Sequence, residues 1–339
     1  IFVGYRYFET FAPEKVVYPF GFGLSYTDFS LETLAASKEK YTVNLTVKVT
    51  NTGAFRGKEV VQVYLSAPQG KLGKAHKVLC AFQKTKELHP GQCQLLKLHF
   101  DLRQFGSFDD LGKICKSAFV LEKGQYLVHL GNNVKDTQLS HSFMLEEDLI
   151  CHKCHSYMAP RQLKQRLTAD GTYEALPQAQ KVAHKPVIKK LKATKADPNL
   201  SLIAALENDR LDDLIAGLSD EDLTGLFHGH PNTNIADTNS IGLPRKYKRD
   251  PMAIPAVPTA DGPAGLRVFP DCGVNPTFLP CANVISQTWS PILARKLGVL
   301  AAKELKENNG GIWLAPALNI HRSPLCGRNF EYYSEDPLT

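Results

Sequence analysis

No apolar run in this sequence approaches the length that crosses a bilayer, which argues against a membrane-spanning chain. The first residues, Ile1-Phe-Val-Gly-Tyr-Arg-Tyr-Phe8, lack both a Met start and the basic-then-apolar layout of a secretory leader. They are read as an internal cut rather than a natural beginning. Charge of either sign is not in great excess, since the net charge of +6 is modest for 339 residues. It is concentrated between Lys181 and Lys195, but no aromatic residue interleaves with those lysines to stack on a base. That excludes nucleic acid as the expected partner and leaves a solvated linker or exposed helix face. Regular cysteine spacing is also missing: Cys80, Cys93, Cys115, Cys151, Cys154, Cys272, Cys281 and Cys326 do not read as a disulfide framework. Reduced thiols and a cytoplasmic location are the expectation, although the sequons at Asn44 and Asn199 are compatible with secretion.

What is present is an ordinary globular composition, 43% hydrophobic and 22% charged, with enough chain for two or three cores. Four segments separate. Residues 1–27 end in Tyr18-Pro-Phe-Gly-Phe-Gly-Leu-Ser-Tyr-Thr27, whose glycines and proline among large rings predict a packed irregular segment. Residues 28–147 read as all-β. Apolar and polar residues alternate from Tyr41 to Val49, and the period returns at Val61, Val63 and Leu65, at Leu96, Leu98 and Phe100, and at Tyr126, Val128 and Leu130. Asn51-Thr-Gly53, Pro90-Gly91 and Lys123-Gly124 supply turns. Several short strands at this spacing predict a β-sandwich, and without the Cys–Trp–Cys pattern of antibody domains the fibronectin type III variant fits better.

Residues 148–200 are polar and lysine-rich, without periodicity, and are read as a connector. Residues 201–339 alternate helices with buried strands. Leu211, Leu214, Ile215 and Leu218 share a helical face, and Ser219 with Asp222 forms a capping-box-like start. Ser290-Pro291 caps a helix that ends at Asn308-Asn-Gly-Gly311, before the short apolar strand Ile312-Trp-Leu-Ala315. This succession suits a (β/α) barrel, whose chemistry sits in the loops after its strands.

Asp261 lies in Asp261-Gly-Pro-Ala-Gly-Leu-Arg267, where glycine and proline fix an irregular backbone. A carboxylate held there can accept hydrogen bonds from two adjacent sugar hydroxyls. Arg267 and Arg328 offer planar donor forks that bind hydroxyls or lock carboxylates. Residue types alone are equally compatible with ordinary loop ion pairs. Cys151-His-Lys-Cys154-His155 matches a haem-attachment spacing and offers zinc ligands, with Met158 as a conceivable axial ligand. It has no second ligand cluster, and neither metal nor haem is expected. His228-Gly-His230, beside a helix end, is read as structural.

These loops, with Leu318-Asn-Ile-His-Arg-Ser-Pro-Leu-Cys-Gly-Arg-Asn-Phe-Glu-Tyr-Tyr-Ser-Glu-Asp-Pro337, resemble the sugar-binding loops of family 3 glycoside hydrolases, the β-glucosidase group. The resemblance extends upstream. Tyr18 to Thr27 is similar to the segment closing that family's second α/β domain, with Phe22 in place of the usual histidine. Val49-Thr-Asn-Thr-Gly53 and Glu59-Val-Val-Gln-Val-Tyr64 are similar to signatures of its fibronectin-like domain. The resemblance implies the tail of an α/β domain (1–27), a fibronectin type III-like sandwich (28–147), a lysine-rich linker (148–200) and the first part of a barrel (201–339). Most members run barrel, α/β domain, fibronectin-like domain, so this looks like the rearranged order of some bacterial members.

By the same resemblance Asp261, Arg267 and Arg328 hold the non-reducing-end sugar of a β-glucoside or oligosaccharide. Glu331, Glu335 and Asp336 are scaffold. The family retains configuration, with two carboxylates about 5–5.5 Å apart as nucleophile and acid/base. The nucleophile lies in a Ser-Asp-Trp-type motif after a Lys-His pair, and neither motif occurs before Thr339. The expected function is therefore part of a retaining exo-β-glucosidase without catalytic residues of its own, working with the remainder of a parent enzyme. The alternative is a non-catalytic carbohydrate-binding or interaction fragment. No cofactor is implied, and homo-oligomerisation stays open.

Overall fold

Alternation over ten residues can bury one whole face of a strand, and from Thr42 to Asn51 every second residue is buried. A computed structural model of the chain describes residues 2–155, 162–176, 197, 199–228, 230–231, 238–241 and 254–339. The lysine cluster, Met158 and Gly229 lie outside them. The chain divides into two units, one of Ile1–Val182, Ile320–Asn329 and Ser334–Thr339, the other of Ala183–Asn319 and Phe330–Tyr333.

The first unit begins with helix α1 (Tyr5–Phe11) and continues through β1 (Phe29–Glu39), β2 (Thr42–Asn51), β3 (Val60–Ser66), β4 (Val78–Lys84), β5 (Cys93–Asp101), β6 (Ser107–Asp109), β7 (Ala118–Leu121), β8 (Gly124–Gly131), β9 (Thr137–Leu145), β10 (Leu149–Lys153), β11 (Gln165–Leu167) and β12 (Tyr173–Ala175). Seven of these strands form the expected sandwich, in antiparallel sheets of order β1-β2-β5 and β4-β3-β8-β9. Val43, Leu45, Val47 and Val49 face Val61, Val63, Leu65, Tyr126, Val128 and Leu130 in one dry core. Each such side chain contributes about 1.5–3 kcal/mol through burial.

Strand β3 is buried on both faces, which is why Glu59-Val-Val-Gln-Val-Tyr64 departs from simple alternation. Its outer face carries Gln62 and Tyr64. The Gln62 amide donates to the carbonyls of Gly21 (3.1 Å) and Asn132 (2.5 Å). Tyr64 packs edge-on against Tyr5 of α1, which stacks on Phe20 at 4.4 Å between centroids. A seven-residue helix is marginal by itself, so α1 owes its stability to this packing.

A small sheet of order β10-β7-β6 flanks the sandwich, and β10 falls inside the stretch read as connector. Asp109 of β6 is fully buried. Burial raises its carboxyl pKa, but backbone N–H groups of Gly112, Lys113, Ile114 and Cys115 outweigh that and hold it below the usual carboxylate range. The hairpin β11–β12, also inside that stretch, is tied down where Glu174 accepts from Lys113 (2.7 Å) and Arg166 (2.6 Å), with Asp110 also paired to Arg166. Between this hairpin, β6 and the 69–73 loop lies a cavity of about 370 Å³.

The second unit contains α2 (Leu202–Glu207), α3 (Leu211–Ala216), α4 (Asp220–His228), β13 (His230–Pro231), β14 (Asn239–Ile241), β15 (Val257–Ala260), α5 (Ala282–Ser286), α6 (Pro291–Glu307) and β16 (Ile312–Trp313). The predicted caps are in place. Ser219 Oγ accepts from Asp222 N–H while the Asp222 carboxylate accepts from Ser219 N–H, both at 3.1 Å. Ser290 Oγ accepts from Leu293 N–H at 3.3 Å, with Pro291 opening α6. The four strands lie in the order β13-β14-β15-β16, and only the β15–β16 pair is parallel. The described residues thus form an α/β region, coarser than the barrel expected from the sequence. No described helix is long and apolar enough to cross a membrane.

Candidate functional site

Strand β15 ends at Ala260, and the next residue is Asp261. Ala260 and Leu266 are buried against Leu305 of α6 and Trp313 of β16, so both ends of the loop are held by apolar contacts. The backbone between them is crossed by hydrogen bonds. Arg267 N–H donates to Asp261 O (2.9 Å), Gly265 N–H to Gly262 O (3.1 Å) and Leu279 N–H to Ala264 O (2.8 Å). The Trp313 indole N–H donates to Gly262 O at 3.0 Å, fastening the loop to the neighbouring parallel strand.

Two positions require glycine. Gly262 has φ +103°, and a Cβ there would lie 2.0 Å from Gly265 O. Gly265 has φ +121°, and its Cβ would lie 2.4 Å from Thr277 O. Both conformations are strained for any L side chain. The two glycines of the Asp-Gly-Pro-Ala-Gly pattern are therefore demanded by this loop shape.

Asp261 and Arg267 are brought together, with Arg267 Nη1 3.1 Å from Asp261 Oδ2. The Asp261 side chain is about a third exposed and that of Arg267 more than half exposed. An ion pair this open contributes little to stability. It orients the carboxylate at a position open to solvent.

Arg328 belongs to the other unit, in the loop that follows β16 in the chain. It is exposed, and its neighbour Asn329 donates through Nδ2 to Ser323 O at 2.8 Å. The loop is closed at its base by His321 N–H donating to Ser334 O (2.9 Å). Beyond that base, Asp336 has a fully buried side chain whose Oδ2 accepts from the Tyr5 phenol (2.7 Å) and from Arg6 Nη2 (2.8 Å). Burial first, then Asp336, pushes the Tyr5 phenol far up, so the proton stays on its oxygen. Burial also pushes the Glu335 carboxyl up, opposed by the Tyr5 backbone N–H and by His321.

Asp336 and Glu335 thus meet the first turn of α1. Sequence reasoning gave no sign of Tyr5 and Arg6, because more than 300 residues separate them from Asp336. Cys151, on β10, places its thiol against Leu149 O, and among the described residues no group of three or more His, Cys, Asp or Glu side chains is placed to hold a metal.

Residues 59–134 match the family model of a fibronectin type III-like domain. The whole chain is 42% identical to β-glucosidase A of Butyrivibrio fibrisolvens, covering 46% of that protein. It is 38% identical to a β-glucosidase of Ruminococcus albus, covering 36% of it. The structure of a novel β-glucosidase from Paenibacillus barengoltzii matches the whole chain with a TM-score of 0.83 at 37% identity, and the chain covers 39% of it. The chain thus spans less than half the length of these relatives.

Proposed function

Since this chain is a relative of the family 3 β-glucosidases, with a fibronectin type III-like domain, and spans only part of such an enzyme, we propose that it supplies the sugar-holding loops of a retaining exo-β-glucosidase. Asp261 accepts hydrogen bonds from two hydroxyls of the non-reducing-end glucosyl residue. Arg267 holds that carboxylate in orientation, and Arg328, by the resemblance of its loop, offers a planar donor fork to sugar hydroxyls. None of the chain's residues is assigned as nucleophile or acid/base. Those roles fall to the remainder of the parent enzyme, as part of which the 201–339 region would form the first portion of a (β/α) barrel.

The observation that carries this reading is the rigid Asp261 loop at the carboxyl end of β15, pinned by the Trp313 indole. A parallel β15–β16 pair connected through α5 and α6 supports the barrel assignment, since catalytic loops in such folds follow the strands. Preorganised carboxylate and guanidinium groups are what pyranose recognition requires, because sugar hydroxyls offer only directional hydrogen bonds against water.

The test is competitive inhibition by glucose of aryl β-D-glucoside hydrolysis by the intact protein. Asp261→Ala and Arg328→Ala should each weaken glucose binding and lower kcat/KM. Hydrolysis unaffected by both substitutions would remove the basis of this assignment.

A further inference from the structure

We propose that Tyr5 and Arg6 are positioning residues that carry the rigidity of the β-sandwich into the loop bearing Arg328. The inference rests on the reading of Arg328 as a sugar ligand and extends it to the residues that hold its loop.

The connection can be followed atom by atom. In β4 the register against β3 shifts between Val63 and Tyr64, so that Tyr64 opposes Leu79 and Val63 opposes Ala81. At this bulge the Leu79 N–H donates to the Tyr5 phenol oxygen at 2.8 Å. The phenol in turn donates to Asp336 Oδ2 at 2.7 Å. Tyr5 is almost wholly buried, with its ring stacked on Phe20 and edge-on to Tyr64, and this packing holds its oxygen between β4 and Asp336.

The same carboxylate oxygen accepts from Arg6 at 2.8 Å, and Oδ1 accepts from Leu338 N–H at 2.8 Å. Glu335 accepts the Tyr5 backbone N–H. Consecutive carboxylates of the loop therefore grip backbone and side chains of one helical turn. Two residues earlier, Ser334 O takes the His321 N–H that closes the loop containing Arg328.

A buried carboxylate with a cation and a phenol on one oxygen tolerates little displacement, because each lost bond leaves a desolvated group. This pair fixes the loop base, and the loop base fixes the approach of Arg328. The arrangement also explains why an acid at 336 is followed by proline at 337, where a fixed φ starts the terminal turn in which Thr339 N–H donates to Asp336 O (3.3 Å).

Tyr5→Phe in the intact protein removes the phenol bridge with the ring retained. KM for an aryl β-D-glucoside and the inhibition constant of glucose should both rise about tenfold, with a smaller change in kcat. Amide exchange in residues 320–329 and 334–339 should quicken, while exchange in β2 and β5 stays as in the unaltered protein. Arg6→Lys, which keeps the charge, should give an intermediate effect and serves if Tyr5→Phe does not fold.

A lowered melting temperature with unchanged KM and unchanged loop exchange would overturn the proposal. If the unaltered protein neither hydrolyses the glucoside nor binds glucose, the sugar-site reading fails. In that case the exchange measurement still decides the anchoring, since unaltered protection of 320–329 in Tyr5→Phe refutes it.

Discussion

Replacing Asn51 by alanine tests how the sandwich closes at one end. Asn51 ends β2 with no exposed surface, and its amide uses its full bonding capacity. Oδ1 accepts from Thr27 Oγ1 (2.7 Å) and Gly53 N–H (3.1 Å), while Nδ2 donates to Phe55 O (2.7 Å) and Leu88 O (2.9 Å). The substitution deletes four bonds, but some groups keep a second partner. Leu88 O still takes Gly57 N–H at 3.1 Å, and Gly53 N–H still reaches Asp28 O at 3.2 Å. At a net value near 1 kcal/mol per bond, the loss is about 2–4 kcal/mol. For a cooperative unit of this size that lowers Tm by on the order of 10 °C, measurable by calorimetry on the intact protein. Asn51→Asp is the isosteric control. At neutral pH it turns the donor pair into an acceptor facing two carbonyls, and should destabilise at least as much as alanine. A loss below about 1 kcal/mol for both variants would refute the claim that this amide organises the loops.

Two further outcomes follow from local geometry. Gly265→Ala forces a Cβ against Thr277 O at φ +121° and should displace the Asp261 loop, at a cost of about 1–3 kcal/mol. Faster amide exchange in residues 261–267 with unchanged exchange in the sandwich checks it. His129, hydrogen-bonded to Ser66 Oγ at 3.2 Å, has its pKa lowered to about 4 by burial, then by Lys77 and His76. The unfolded chain binds that proton at about 6.5, so stability from neutral His129 is complete above that pH and falls as pH drops towards 4. His129→Gln should flatten this part of the stability–pH curve, and an unchanged slope would exclude His129 as its source.

How much of this was legible depended on whether the deciding interaction is local or distant. The period-2 runs at β2, β5 and β8 announced the sandwich because each of these strands buries one face against the opposite sheet, and β3 shows the same period at Val61, Val63 and Leu65 although its other face is covered too. Ser219–Asp222 and Ser290–Pro291 announced helix starts because capping acts within one turn. The Asp261 loop was legible through its glycines, which the backbone shape demands. Helix α1 was not, because seven residues carry too little periodicity and its support comes from Phe20, Tyr64 and Asp336. Hairpin β11–β12 was hidden for a similar reason, being held by charged residues of β11 and β12 and of the 110–113 turn rather than by an apolar stripe. The function of Asp336 was the least visible, since its partners stand at the other end of the chain.

The most direct test of the central claim is hydrolysis of an aryl β-D-glucoside by the intact protein, compared with its Asp261→Ala variant. Loss of two hydrogen bonds to a charged acceptor predicts a fall of about 100-fold or more in kcat/KM, with the fold retained. A variant as active as the unaltered protein, or an intact protein without β-glucosidase activity, would contradict the account.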